Sequence, residues 1–283
     1  MPPHPKKTFP LNEIYKFSAQ GLRKTPSAYI PFFIFACIDF CSLLLLYLTP
    51  RQPLIEIFGP PIRTLWGERF LHYPTNFLLL PKLTADARMV LSVCIGSLLT
   101  GIAITLLYQK PLKSAFKKYV SLFLIVFLIT VLFYGTIKIR NIALMKYFMA
   151  GHKTLLFLSP TAWLGPISTG MGFFIGLFIQ AAFTYAIPAL IMGEGRLMRV
   201  LATSLVFCKN HLVTTLFLVG LPLLLYVPLL VLNYNSVFLI DRFFPEIILW
   251  LSAAGVIVNS LFIDPLITIT TAELYAHAAQ KRP

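Results

Sequence analysis

Residues 28–48, AYIPFFIFACIDFCSLLLLYL, form the stretch of sequence that decides the fold. A helix that rises 1.5 Å per residue needs about 20 apolar residues to cross a hydrocarbon core of roughly 30 Å. This stretch has that length, and it lacks the strict alternation of apolar and polar residues that is typical of barrel strands. We therefore expect it to form a membrane-spanning helix.

The composition of the whole chain agrees with this expectation. The chain has 283 residues, of which 58% are hydrophobic and 12% are charged, and its mean hydropathy is +0.80. Soluble domains carry about 25% charged residues, so this chain has too little polar surface to cover a soluble globule. The composition excludes a typical soluble enzyme and a disordered protein, and it predicts an integral membrane protein.

Six apolar segments are long enough to span a membrane, and they predict an all-α polytopic protein with six transmembrane helices. The predicted spans are 28–48, 89–108, 119–138, 167–192, 212–233 and 246–270. They belong to one membrane domain, residues 28–278, between an N-terminal arm with an amphipathic elbow (1–27) and a short tail (279–283). Helices satisfy their own backbone hydrogen bonds in lipid, so prolines within these spans should kink them rather than break them; these are Pro31, Pro188, Pro222 and Pro228.

The basic residues suggest an orientation. Fourteen Lys and Arg residues fall on the side of the two termini, against ten on the other side. The positive-inside rule then places both termini in the cytoplasm, and we expect a multi-pass protein of a bacterial inner membrane. The net charge of +14 is spread between apolar runs, which favours contact with anionic lipid over nucleic acid. Other membrane proteins remain open as partners.

Two predicted outer loops are unusually apolar. Residues 49–88 and 139–166 are too hydrophobic to be loops exposed to water, and their apolar runs are too interrupted to span a membrane. We expect short interfacial helices or re-entrant pieces, anchored by Trp66 and Trp163. They would either cap the helix ends or cover a lipid-facing cavity.

A weak internal repeat precedes spans 1, 3 and 5. Each of these spans follows a short amphipathic stretch that ends in basic residues, with Lys24, Lys118 and Lys209 in comparable places. The pattern predicts three pseudo-repeated hairpins, each opening with an elbow helix that lies in the interface. Chance similarity between apolar segments is the alternative.

Three polar residues lie within or at the edge of predicted spans. Asp39 sits in the middle of the first span, and Asn259 and Asp264 sit in the last one. Ionisable residues at membrane depth are functional candidates by default, although a protonated aspartate can simply make one interhelical hydrogen bond. By hydropathy, no Lys or Arg within a span offers either aspartate a partner.

Catalytic and metal-binding patterns are not evident. The sequence has no HExxH, GxSxG, P-loop or dinucleotide-binding fingerprint, and GMGFFIG (170–176) lies inside a span, where small residues favour helix packing. The five histidines lack ligand spacing, and the four cysteines form no CxxC pair. We expect no catalytic residue, metal or cofactor.

Two segments carry a resemblance to a known family. The sequence from Tyr185 onward, YAIPALIMGEGRLMRVLATSLVFCKNHLVTTLFLVGLPLLL, and the chain end, LFIDPLITITTAELYAHA (261–278), resemble the membrane domain attached to some bacterial glycerophosphoryl diester phosphodiesterases, and its stand-alone uncharacterised relatives. The resemblance is best over residues 185–278. The matching positions are Pro188, Glu194, Ala202, Ser204, Lys209, Asn210, Pro265, Thr271 and Tyr275. It implies a six-helix membrane domain, whereas the catalytic domain of those enzymes has no counterpart in this chain.

Basic and acidic residues near the cytoplasmic edge add to the candidates. Glu194 precedes an amphipathic helix that bears Arg196 and Arg199 and has Lys209 near its end, and a carboxylate near a helix N-terminus is stabilised by the helix dipole. Tyr275, one of the positions that match the family, is the last of the candidate functional polar residues.

Three functions follow as hypotheses. The preferred one is a non-enzymatic accessory, scaffold or lipid-contacting component of the membrane. The alternative is a small transporter or permease subunit that uses Asp39 and Asp264. A third is a lipid-modifying enzyme that uses His72 or His152.

Overall fold

The computed structural model describes residues 25–149, 160–193 and 196–280, together with Lys16, Gln20 and Arg23. These residues form helices and no strand. In chain order the α-helices are α1 (Ile30–Leu48), α2 (Leu54–Trp66), α3 (Thr75–Leu91), α4 (Ser97–Leu107), α5 (Lys113–Lys117), α6 (Tyr119–Met149), α7 (Pro160–Phe183), α8 (Ala186–Met192), α9 (Leu197–Asn210), α10 (Leu212–Leu224), α11 (Val227–Tyr234), α12 (Ser236–Arg242), α13 (Ile247–Ile257) and α14 (Asp264–Gln280).

Four tighter or wider helical turns complete the backbone. Short 3₁₀ turns lie at Pro26–Tyr29, before α1, and at Glu68–Leu71, after α2. Two π-helical turns join α-helices end to end: Ser92–Gly96 joins α3 to α4, and Val258–Ile263 joins α13 to α14.

Five helical segments in the described part of the chain are long and apolar enough to cross a membrane. They are Pro26–Leu48, Thr75–Leu107, Tyr119–Lys146, Ile167–Met192 and Ile247–Ala279. A sixth is counted if α9 and α10, which meet at 97°, are taken as one broken span. The predicted all-α polytopic fold is confirmed.

The second span begins earlier than the sequence predicted. Its helix starts at Thr75 and runs for 33 residues to Leu107, so residues 75–88 are not an outer loop. Polar residues such as Lys82 and Asp86 lower the hydropathy of this part, but α3 packs against α1 and α13. As a consequence Arg88 lies near the middle of a spanning helix.

Two prolines accompany breaks in helices rather than kinks, contrary to expectation. A proline lacks the N–H that would bond to the carbonyl four residues earlier. For Pro188 that carbonyl belongs to Thr184, and α7 ends at Phe183; for Pro228 it belongs to Leu224, where α10 ends. The predicted fifth span, 212–233, is therefore split between α10 and α11.

The predicted interfacial pieces are partly present. Helix α2 is a separate 13-residue helix in the first outer region. In the second region, residues 139–149 instead continue α6, and 160–166 begin α7. Residues 150–159 and the side chains of Trp66 and Trp163 lie outside the described part.

The elbows differ in length. Helix α5 has five residues and precedes α6, whereas α9 has fourteen and turns sharply into α10. The stretch before span 1, with Lys24, lies mostly outside the described residues. The threefold repeat stays a prediction.

The core lies where the helices meet, and much of the remaining apolar surface is exposed. The largest cluster joins α6, α7, α8, α9, α10 and α14 around Leu122, Tyr185, Phe207, Leu218 and Tyr275. On α6, by contrast, Val120 and Val131 are 68% and 51% exposed. Such apolar side chains on the outside of a bundle suit a lipid solvent and not water.

Candidate functional site: a carboxylate–guanidinium triad beside a cavity

An ion-paired triad joins three helices inside the bundle. The guanidinium of Arg88, from α3, places one terminal nitrogen 3.1 Å from Oδ2 of Asp39, on α1. Its other terminal nitrogen donates a hydrogen bond of 2.8 Å to Oδ2 of Asp264, the first residue of α14. One guanidinium therefore bridges two carboxylates that are far apart in sequence. We call Asp39, Arg88 and Asp264 the triad.

The triad corrects one expectation from the sequence. No Lys or Arg was expected within reach of Asp39 or Asp264, and this was wrong because Arg88 had been counted with an outer loop. Hydropathy assigns a charged residue to a loop unless a buried partner is known. The partner Asp264 is 176 positions away in the chain, which is beyond the reach of any local pattern.

The three side chains differ in burial. Asp39 is 1% exposed, Arg88 is 19% exposed and Asp264 is 36% exposed. Oδ2 of Asp39 also accepts a 3.4 Å hydrogen bond from the Ser260 hydroxyl. Its other oxygen, Oδ1, is buried and has no hydrogen-bond partner among the described residues. Asp39 is thus the most desolvated member of the triad and the least completely paired.

Aromatic and amide groups surround the guanidinium. Its central carbon lies 6.0 Å from the centre of the Phe35 ring, within the range of a cation–π contact. The side chains of Tyr226 and Asn259 hydrogen-bond to each other close to Arg88. Asn259, a candidate from the sequence, therefore belongs to the surroundings of the triad.

A π-helical turn lies next to the triad on each of the two longest spans. One begins at Ser92, four residues after Arg88, and the other ends at Ile263, directly before Asp264. A π turn leaves carbonyl groups outside the regular pattern of helical hydrogen bonds, and such turns are frequent at functional sites. Here a tyrosine hydroxyl donates to a carbonyl in each turn: Tyr119 to Cys94, and Tyr29 to Leu261.

A cavity of about 170 Å³ adjoins the triad. Asp264 forms part of its wall, with the polar side chains of Gln180, Thr100 and Thr268. These three side chains make no hydrogen bond to another described residue. Phe32 and Phe35 supply apolar wall. A cavity of about 150 Å³ is enough to hold benzene, so this one has room for a solute of a few heavy atoms.

The other sequence candidates lie away from the triad. Arg199 and Lys209 are exposed on α9. Tyr275 is 5% exposed, and its ring centre is 5.3 Å from that of Phe207 and 6.4 Å from that of Tyr185. This aromatic cluster packs α14 against α8 and α9. Glu194 and His152 lie outside the described residues.

Two lysines cap the end of α8, a role that sequence reasoning missed. The ammonium groups of Lys118 and Lys110 donate to the carbonyls of Leu190 (2.6 Å) and Ile191 (3.0 Å). Lysines stabilise the negative end of a helix dipole. Burial, and secondarily the nearby Lys110, lowers the pKa of Lys118.

A tyrosine fixes the same edge of the bundle. The Tyr108 hydroxyl donates to the carbonyl of Ala272 at 2.7 Å, and burial raises the Tyr108 pKa. The short Pro- and Lys-containing sequence after span 2 was the only available signal for these contacts. By its charge alone, this sequence predicts a basic surface facing lipid.

In comparisons with known proteins, no family model, no curated protein and no solved structure matches this chain. The resemblance to the membrane domain of glycerophosphoryl diester phosphodiesterases accordingly stays a prediction.

Proposed function

We propose that this chain is a small membrane transporter, or the permease subunit of one, that binds a small polar solute beside Asp264. The observation that carries the proposal is that the Asp264 carboxylate, held by Arg88, forms part of the wall of a half-open cavity between the helices, whose mostly apolar lining also presents hydroxyl and amide side chains. Transporter sites are commonly built in this way, with ionisable groups and interrupted helices near the membrane midplane.

The chemistry of the cavity narrows the solute class. An amide and two hydroxyls without other described partners offer oxygen and nitrogen atoms to a hydrogen-bonding ligand. The partly exposed carboxylate of Asp264 adds negative charge. We expect a small solute that carries hydrogen-bond donors or a positive charge.

A scaffold role, the function preferred from the sequence, explains less of this geometry. Apolar residues of similar volume are often as stabilising as a buried ion pair, or more so. A scaffold would gain little from a carboxylate that borders a cavity. The triad and the cavity together therefore favour transport.

The proposal includes the cellular location and the membrane orientation of the chain. We infer a bacterial inner membrane with both chain ends in the cytoplasm, on the basis of the excess of Lys and Arg that the sequence assigns to that side. The excess grows when Arg88, which lies within a span, is no longer counted with the outer loops. The edge that carries Lys110 and Lys118 would then be cytoplasmic.

Cysteine labelling tests whether the cavity is reached from water. In a variant whose native cysteines (Cys37, Cys41, Cys94 and Cys208) are replaced by alanine, Thr268→Cys should react with a small cationic methanethiosulfonate reagent added to one face of membrane vesicles. Thiolates react and form only in water, so a cysteine at Leu266, an exposed apolar position on the same helix, should stay unlabelled.

A cysteine at Tyr73, which is 66% exposed between helices, serves as the positive control. Labelling of Tyr73→Cys without labelling of Thr268→Cys from either face would contradict transport.

A second candidate function, contact with anionic lipid, is supported by α5. Lys113 and Lys117 are exposed there beside the exposed apolar residues Leu112 and Phe116. Basic and apolar side chains together on a surface helix favour the interface of an anionic membrane, at about 1 kcal/mol per basic residue.

Lipid titration of the detergent-solubilised protein tests this candidate. Phosphatidylglycerol should raise the unfolding temperature more than phosphatidylcholine does, and the difference should shrink in Lys113→Gln/Lys117→Gln. Lys138→Gln, an exposed lysine elsewhere on the chain, is the matched control. Equal stabilisation by the two lipids would contradict lipid recognition at α5.

A further inference from the structure

The charges of the triad do not balance when all three groups are ionised. Arginine stays protonated in proteins, so two carboxylates and one guanidinium leave one negative charge in an apolar bundle. Among the described residues, no other cation forms an ion pair with either aspartate. An uncompensated buried charge is costly, and one bound proton removes it.

The titratable groups around the triad do not supply the missing charge. Tyr226, between α10 and α11, bears a hydroxyl that cannot carry a positive charge, and it bonds to Asn259. Tyr29, before α1, donates a hydrogen bond to the Leu261 carbonyl. Asp86 lies two residues before Arg88, about 200° around α3, and would add negative charge only. The side chains that line the cavity from α4 and α7 include the hydroxyls of Ser97 and Thr100 and the amide of Gln180, and none of these groups carries a charge.

The geometry distinguishes the two carboxyl groups. Asp264 accepts the shorter contact from Arg88, 2.8 Å, and is partly exposed to the cavity. Asp39 has the longer contact, 3.1 Å, is 1% exposed, and leaves Oδ1 without a described partner. A desolvated and incompletely paired carboxyl group is the one that keeps a proton.

We propose that the triad holds one exchangeable proton on Asp39, and that a small monovalent cation binding at Asp264 in the cavity displaces it. The cation neutralises Asp264, which weakens the hold of that carboxylate on Arg88. The guanidinium then pairs fully with Asp39, whose O–H bond breaks and releases H⁺ to water. Before and after the exchange the site is neutral, because one proton is replaced by one cation.

The exchange rests on the proposed transport function and gives its substrate class: an alkali ion or a small ammonium ion exchanged for a proton. The occupancy of Asp39 by a proton does not depend on transport, so the two ideas can fail separately.

Infrared spectroscopy tests the proton directly. At neutral pH the purified protein should show the carbonyl band of a protonated carboxylic acid, which should move to the frequency of a glutamic acid in Asp39→Glu and stay in place in Asp264→Glu. The band should be lost in Asp39→Asn, and also in Asp264→Asn, where Arg88 pairs fully with Asp39 and the proton leaves. Absence of the band from the wild type, or a shift in Asp264→Glu and not in Asp39→Glu, would overturn the assignment to Asp39.

Proton release tests the exchange. Addition of Na⁺, K⁺ or methylammonium chloride to the weakly buffered wild-type protein should release about one proton per chain for the recognised cation, as the charge count of the triad requires. Asp39→Asn and Asp264→Asn should release none. Asp241→Asn, at an exposed aspartate on α12, should behave as the wild type. If a substitution by Asn does not fold, the band positions in Asp39→Glu and Asp264→Glu decide the assignment, and the wild-type proton release decides the exchange.

The outcomes separate the two proposals. A labelled Thr268→Cys with no proton release by any of the three cations would overturn the exchange and leave transport standing. An unlabelled Thr268→Cys with the carboxyl band present would overturn transport and the coupling, and would leave the proton on Asp39.

Discussion

Arg88 is the residue on which the bundle interior depends. Its guanidinium is the described cation that pairs with both Asp39 and Asp264, so its removal leaves both carboxyl groups without that partner in apolar surroundings. Breaking a buried ion pair from one side costs about 3–5 kcal/mol. We expect Arg88→Met to lower the free energy of unfolding by about this amount in detergent, measured by chemical denaturation.

The charge explanation predicts a rescue. Arg88→Met combined with Asp39→Asn and Asp264→Asn removes every charge of the triad and should recover most of the lost stability, because no buried charge remains unpaired. Arg51→Met is the matched control, since Arg51 is exposed and its guanidinium, among the described residues, donates to the hydroxyl of the nearby Tyr47. A triple variant as unstable as Arg88→Met would show that the packing of the arginine stem matters more than its charge.

At the scale of helices, sequence predicts the strongly apolar elements and misses those that depend on distant partners. Residues 28–48 were long and apolar enough to be assigned directly, and α1 with its preceding turn covers them. Residues 75–88 were not, because Pro81, Lys82, Asp86 and Arg88 reduce their hydropathy. Their helix is fixed by packing on α1 and α13 and by the triad.

The same limit applied to the candidate site. Asp39, Asn259 and Asp264 were identified because polar residues in apolar runs are conspicuous. Arg88 and Gln180 were not, because their importance arises from which helices meet. The breaks near Pro188 and Pro228 were foreseen as irregularities, but whether a proline bends or ends a helix depends on which neighbours satisfy the freed carbonyl.

Helix α8 gives a prediction at this scale through the lysine that caps it. Folding lowers the Lys118 pKa, first by burial and then through Lys110, from an ordinary value of 10.5. The unfolded chain therefore binds more protons at this site, and stability should rise as the pH increases through the window just below 10.5. The rise should shrink in Lys118→Met and persist in Lys113→Met, an exposed lysine on α5. Identical pH slopes in the two variants would contradict this account of Lys118.

At the scale of the whole molecule, the number of membrane crossings follows from the lengths of the apolar helices. Five helical segments are each long and apolar enough to cross the membrane. A sixth crossing depends on the region after the 97° bend between α9 and α10. Helix α10 alone spans about 20 Å, short of the roughly 30 Å core, whereas the chain from Leu212 to Tyr234 reaches about 35 Å if α10 and α11 run in line. The exposed apolar residues of α10 and α11, among them Phe217, Leu221 and Val231, suit a lipid-facing segment.

We therefore expect six crossings, with α9 lying along the interface and α10 and α11 spanning the membrane as one interrupted helix. Reporter fusions in a bacterial host measure this directly. Alkaline phosphatase fused after Asn235 should be active outside the cytoplasm, whereas fusions after Gln109 and after Pro283 should be inactive and the matching fluorescent-protein fusions bright. If α10 and α11 turned back within the membrane, Asn235 would share the cytoplasmic face with Gln109, and the single crossing by α13 and α14 would carry Pro283 to the outside. An active phosphatase at Pro283 would thus exclude the six-crossing arrangement and favour five.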